Sequence, residues 1–96
     1  MSVSLSTHVL DTAAGRPAAG VTVELLHGAE AIATTQTDDD GRARLADALD
    51  PGSYRLVFHP PSAFFRRVEL ELQLEGGHYH VPLLVSPFSC ASYRGS

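Results

Sequence analysis

Five histidines, seven arginines and a single cysteine are the side chains from which this chain could build a site for proton transfer or anion binding. His78 and His80 stand two apart, so on a strand they project from one face together with Pro82. Tyr79, Val81, Leu83 and Val85 then form the opposite, core face. Histidines turned away from a core are available to exchange protons near neutral pH. His-x-His on a strand is also a zinc spacing that a third histidine would complete, but no Asp, Glu or Cys is placed nearby and no metal is expected. His8 lies on the polar side of its own strand, away from Leu5 and Val9; taken alone, it fits a solvated or interface histidine. Arg42 follows Asp40-Gly41 at the exit of a tight turn, either as a surface arginine after a hairpin or as a guanidinium aimed at a planar substrate. His27 and His59 read as structural or solvent-facing, and Cys90 as a small, semi-buried residue without a base partner.

The sequence closes on Tyr93-Arg94-Gly95-Ser96. Termini commonly trail off in small polar residues that nothing holds. An aromatic ring, a guanidinium and a glycine straight after a strand-like segment instead suit a tail docked into something. Tyr93 is expected to anchor this tail by burying its ring, and Gly95 to let the backbone turn. Arg94 and Ser96 are then free to face a polar partner.

With 96 residues the chain makes one small domain, 1–96, for which oligomerisation is a natural source of extra stability. Its formal net charge of −4 and the lack of a basic run argue against a nucleic-acid partner. Every cation is an arginine, able to hold a planar oxyanion through two hydrogen bonds. One cysteine allows no intrachain disulfide, which favours a reducing compartment. No signal peptide, transmembrane stretch or Ser-Lys-Leu peroxisomal ending is seen, so a cytoplasmic location without a membrane partner is expected.

Period-2 alternation dominates, as it does in half-buried strands. Val3, Leu5, Thr7 and Val9 share one face and Ser4, Ser6 and His8 the other. Similar alternation covers 21–25, 54–58 and 68–74, with further strands at 78–86 and 89–94 and weaker ones at 31–37 and 42–46. Turn signals fall between them at 14–17, 27–28, 39–41, 50–52 and 75–77. No segment keeps a helical period. Seven or eight short strands with regular turns predict an all-β sandwich. Pro82 donates no ladder hydrogen bond, so its strand is expected to be interrupted, bulged or at an edge there. The run Pro82-Leu83-Leu84-Val85 suggests an apolar surface that another subunit covers.

Three blocks resemble the 5-hydroxyisourate hydrolases, the transthyretin-like enzymes of urate breakdown. The first is Leu5-Ser6-Thr7-His8-Val9-Leu10-Asp11, continuing to Gly15-Arg16-Pro17-Ala18; the second is Asp40-Gly41-Arg42. The third runs without a gap from His78 to Ser96 and ends in the family's tetrapeptide. The resemblance implies a transthyretin-like (prealbumin-like) β-sandwich that opens the ring of 5-hydroxyisourate, giving 2-oxo-4-hydroxy-4-carboxy-5-ureidoimidazoline, without a cofactor. It implies a catalytic set of His8, Arg42, His80 and Ser96, with Tyr93, Arg94 and Gly95 joining in substrate binding. It also implies a homotetramer, two dimers packed through their non-core sheet faces. The family's short helix between the fifth and sixth strands is shortened or lost here, because His59 to Arg66 carries two prolines and leaves no room for a regular helix. The alternative is a non-catalytic transthyretin-like carrier of a small planar ligand, and a further one is a sandwich-type interaction module. A carrier calls for an apolar channel, whereas these four residues would make a polar one.

Overall fold

A computed structural model describes residues 2–95, and every regular element among them is a strand. In chain order these are β1 (Val3–Asp11), β2 (Arg16–Pro17), β3 (Thr22–His27), β4 (Glu30–Gln36), β5 (Arg42–Leu49), β6 (Gly52–His59), β7 (Val68–Leu74), β8 (Gly77–Ser86) and β9 (Ser89–Ser92). One sheet runs β2-β1-β8-β9 with β5 also paired to β1, and the other runs β4-β3-β6-β7. All pairings are antiparallel except the one between β1 and β8, which is parallel and central.

The two sheets close on the faces that the alternation assigns. Val3, Leu5 and Val9 of β1, Val23 and Leu25 of β3, Leu56 and Phe58 of β6, and Leu83 and Val85 of β8 are buried together. Each such side chain contributes about 1.5–3 kcal/mol by leaving water. Thr7 occupies a core position, fully buried, and its hydroxyl is satisfied by donating to the Val81 carbonyl at 2.6 Å. The expected strands at 31–37, 42–46 and 89–94 form with shifted ends, and Arg16–Pro17, read as part of a turn, adds a two-residue ladder to β1.

The connection after β6 contains no helix. Ser62 organises it: its amide donates to the Pro60 carbonyl, and its hydroxyl accepts from the amides of Phe64 and Phe65. The apolar run in β8 is more divided than its sequence suggests. Leu83 and Val85 point into the core and Pro82 is buried, so Leu84, half-buried, is the member left on the outer face.

Thr37 ties the two sheets together next to the turn at 38–41. Its buried hydroxyl donates to Ala18 O (2.7 Å) and accepts from Val21 N (2.9 Å). Thr37→Val keeps the shape but strands both partners, so it should lower unfolding stability by about 1–3 kcal/mol. Urea denaturation with an unchanged slope tests this; an unaltered midpoint would show that the hydroxyl is dispensable.

Candidate active site

The outer face of the β5-β1-β8 sheet carries a polar cluster set by strand register. Ser4 lies opposite His78, Ser6 opposite His80 and His8 opposite Pro82 across the parallel pair. On the other side of β1, Ser6 lies opposite Arg44 and His8 opposite Arg42. Directly opposed residues share a face. The face therefore reads, in two rows, Arg44-Ser6-His80 and Arg42-His8-Pro82. The rings of His8 and His80 sit diagonally, with centroids 6.5 Å apart.

Arg42 is positioned by the turn before it. One carboxylate oxygen of Asp38 accepts from the amides of Asp40 and Arg42, both at 2.9 Å. Gly41 passes so close to β1 that its amide carbonyl accepts from Val9 N at 2.7 Å. A Cβ at Gly41, where φ is 76°, would fall 2.5 Å from the Val9 carbonyl oxygen, so no other residue fits. The same turn orients His8, whose Nε2–H donates to the Asp40 carbonyl at 2.9 Å. That bond leaves Nδ1 of His8 as the nitrogen with the lone pair in the neutral ring.

A second chain of bonds links the other histidines. Ser4 Oγ meets His78 Nδ1 at 2.7 Å, and Ser6 Oγ bridges His78 Nε2 (3.1 Å) and His80 Nδ1 (2.9 Å). Burial of its ring, followed by the positive charge of Arg42 and by coupling to the neighbouring His8 and His78 rings, pushes the His80 imidazole below its ordinary pKa. The neutral ring is thereby favoured. Together with Thr35, Gln36, Asp38 and Arg44, His78, His80 and Arg42 line a groove of about 580 Å³.

The tail reaches the back of this site. Gly95 N donates to the His80 carbonyl at 2.6 Å, and a Cβ on Gly95 would lie 2.8 Å from His80 Cδ2. Gly95 thus lies against the His80 ring where a side chain would displace it. Arg94 stacks its guanidinium 4.3 Å from the centre of the Tyr79 ring, while Tyr93 is 57% exposed. Both border a separate opening between β7 and β8, so the fold brings His8, Arg42, His80 and Gly95 together but leaves Tyr93 and Arg94 outside the groove. Ser96 lies outside the described residues.

Ser4, Ser6, Asp38 and Arg44 escaped the sequence reading. Alternation already placed Ser4 and Ser6 on the face of His8, but only the β1–β8 register shows that they meet His78 and His80. The other histidines have structural partners. His27 stacks on Tyr54 (4.6 Å between ring centres), and His59 meets the Glu24 carboxylate at 2.8 Å. Cys90 is half-buried, which pushes its thiol pKa up and keeps it a poor nucleophile. Among the described residues no group of three or more His, Cys, Asp or Glu could hold a metal ion, and no helix is long and apolar enough to cross a membrane.

Residues 5–95 match the HIUase/Transthyretin family model. The chain is 40% identical over 114 residues to the 5-hydroxyisourate hydrolase of Pseudomonas aeruginosa, covering 96% of itself and 90% of that protein. It is also 40% identical over 119 residues to the uric acid degradation bifunctional protein TTL of Arabidopsis thaliana, and there it spans only 37% of the relative. These alignments are longer than the 96 residues of the chain, so both relatives carry segments that it lacks. The solved 5-hydroxyisourate hydrolase of Klebsiella pneumoniae superposes with a TM-score of 0.88 at 36% identity, over 97% of this chain and 99% of that one.

Titration of the histidine rings by NMR tests the electrostatics. His80 should stay neutral to a lower pH than an ordinary histidine, with its midpoint below 6.5. Arg42→Gln removes one neighbouring positive charge and should raise that midpoint, while burial, the larger cause, keeps it from returning fully. A native midpoint at or above 6.5 would contradict the described environment.

Proposed function

The chain belongs to the HIUase/Transthyretin family, and on that footing we propose that it hydrolyses 5-hydroxyisourate to 2-oxo-4-hydroxy-4-carboxy-5-ureidoimidazoline in urate degradation. The observation that carries this reading is the meeting of His8, Arg42 and His80 on one sheet face, where Arg42 and His80 line a polar groove, in a chain that matches 5-hydroxyisourate hydrolases along almost its whole length.

The chemistry follows from the three positions. Hydrolysis of a cyclic amide needs a base for water, a counter-charge for the carbonyl oxygen and an acid for the leaving nitrogen. His80, held neutral, can accept a proton from water through Nε2, because Nδ1 is engaged by Ser6. Arg42 can offset negative charge growing on the carbonyl oxygen and hold the oxygen-rich ring. His8, oriented by the Asp40 carbonyl, offers Nδ1 for a second proton transfer. The tail supports the site through Gly95, which lies against the His80 ring. A carrier of a flat apolar ligand is the weaker reading, because two histidines, two arginines and an aspartate border this groove.

The homotetramer is also proposed. Phe64 and Phe88 are 64% and 81% exposed and lie edge to face with centres 6.1 Å apart, an aromatic patch suited to cover by another subunit.

An ultraviolet assay of fresh 5-hydroxyisourate tests the activity. His8→Asn and His80→Asn should each lower turnover by roughly 10²–10⁴-fold, the usual contribution of a positioned acid or base. Removing Arg94 to Ser96 should cost at least about tenfold, or about 1.4 kcal/mol of transition-state stabilisation. Full activity in both histidine variants, or its loss from the native protein on chelation, would refute this assignment. For assembly, light scattering should give the mass of four chains, and a fully active monomer would rule the tetramer out.

A further inference from the structure

We propose that Ser6, His78 and Ser4 form a proton relay through which His80 exchanges a proton with the strand ends of its face, so that His80 can act as base and then as acid without becoming cationic. The inference rests on the hydrolytic reading above and gives a role to His78, which that reading leaves idle.

Three contacts build the relay: His80 Nδ1 to Ser6 Oγ at 2.9 Å, Ser6 Oγ to His78 Nε2 at 3.1 Å, and His78 Nδ1 to Ser4 Oγ at 2.7 Å. Each link is a hydrogen bond of ordinary length. They run from half-buried His80 to exposed His78, toward the start of β1 and β8. A hydroxyl gives one hydrogen and accepts others, and a neutral imidazole carries one hydrogen on one of two nitrogens. The chain can therefore satisfy itself in two directions. In the first, His80 Nδ1–H donates to Ser6, Ser6 donates to His78 Nε2, and His78 Nδ1–H donates to Ser4; His80 Nε2 is then a bare lone pair. In the second, Ser4 donates to His78 Nδ1, His78 Nε2–H to Ser6, and Ser6 to His80 Nδ1; the His80 hydrogen then sits on Nε2.

The reaction uses both. A water oxygen bonds to the carbonyl carbon, the carbonyl π pair moves to its oxygen, and the water proton goes to His80 Nε2. In the same shift the Nδ1 hydrogen passes to Ser6, the Ser6 hydrogen to His78 Nε2, the Nδ1 hydrogen of His78 to Ser4, and the Ser4 hydrogen to solvent. Collapse then breaks the carbon–nitrogen bond, its electron pair stays on nitrogen, and Nε2 gives that nitrogen its proton. A solvent proton returns along the relay to Nδ1, and the new carboxylic acid loses its own proton to water. The alternative is to hold the proton as imidazolium. Half-buried beside Arg42 and flanked by His8 and His78, His80 is poorly placed for that charge.

Ser6→Ala cuts the relay and leaves His8, Arg42 and His80 in place. It should lower kcat by about tenfold, a part of what a positioned base supplies, with KM unchanged. Ser6→Thr keeps the hydroxyl and should recover most of the rate. His78→Gln should resemble Ser6→Ala, and the double variant should be no slower than the slower single one, because both interrupt one path. In mixtures of light and heavy water, kcat should follow a bowed curve for the native protein and a straight line for Ser6→Ala. A Ser6→Ala enzyme at the native rate, an additive double variant, or a threonine variant as slow as alanine would each overturn the relay. Nitrogen NMR of the substrate-free rings decides the matter independently of turnover. Ser6→Ala should shift the ring nitrogens of His78 and His80 together while leaving His27 unchanged, and an unmoved His78 would end the proposal. If the native protein leaves 5-hydroxyisourate intact, the functional reading fails, and the ring spectra still judge the relay.

Discussion

The parallel pairing of β1 with β8 is the constraint on which the rest depends. It joins strands that lie some seventy residues apart and puts Ser4, Ser6 and His8 beside His78, His80 and Pro82. One face of both strands is committed to the core, and a slip of one residue would exchange the faces, sending histidines inward and Leu5 and Val81 to water. Burial of the apolar side chains, at about 1.5–3 kcal/mol each, outweighs the bond from Thr7 to Val81, at about 1 kcal/mol. Hydrophobic alternation therefore decides the register. The polar cluster on the other face is its geometric consequence.

The turn at 38–41 supplies what the strand pair lacks, a cation and an orienting carbonyl. Asp38 gathers the Asp40 and Arg42 amides, while Gly41 presses against β1 with room for no side chain. The same few residues thus set where β5 starts, where Arg42 emerges and which nitrogen of His8 carries its hydrogen. Because this turn also crosses from one sheet to the other beside Thr37, the site and the closure of the sandwich share a structural member.

Alternation made the core faces of β1, β6 and β8 legible, since a period of two survives any arrangement of strands. It also told that His8, His78 and His80 face away from the core. It could not tell which strands are neighbours. Nothing in Ser4 or Ser6 announces a partner more than seventy residues away, so the serine–histidine chain appears only once the parallel register is known. Arg16–Pro17 was hidden for the opposite reason, because a two-residue ladder has no period to detect. The tail was partly legible. Its composition indicated docking, but the described contact is Arg94 on Tyr79 with Tyr93 left exposed, an arrangement that depends on where β9 ends.

Where β9 ends is set by Pro82. His80 and Pro82 turn their backbone groups to the same side, toward the tail: Gly95 donates to the His80 carbonyl and the Ser92 hydroxyl to the Pro82 carbonyl. Proline has no amide hydrogen to offer there, so the ladder that pairs Leu83 with Ser92 stops. The strand β8 is neither an edge nor bulged against β1; the interruption falls on the tail side alone. Tyr93 and Arg94 leave the sheet across this gap, and the chain returns two residues later as the bridge between Gly95 and His80. The bridge keeps the register of the ladder, because the step from Leu83 to His80 equals the step from Ser92 to Gly95. The residue that this register returns to His80 is a glycine, with its backbone close enough to hold a ring that a Cβ would push aside. Pro82 therefore acts beside the proposed site without lining its groove: it frees Tyr93 and Arg94 from the ladder, while the register still brings Gly95 to His80.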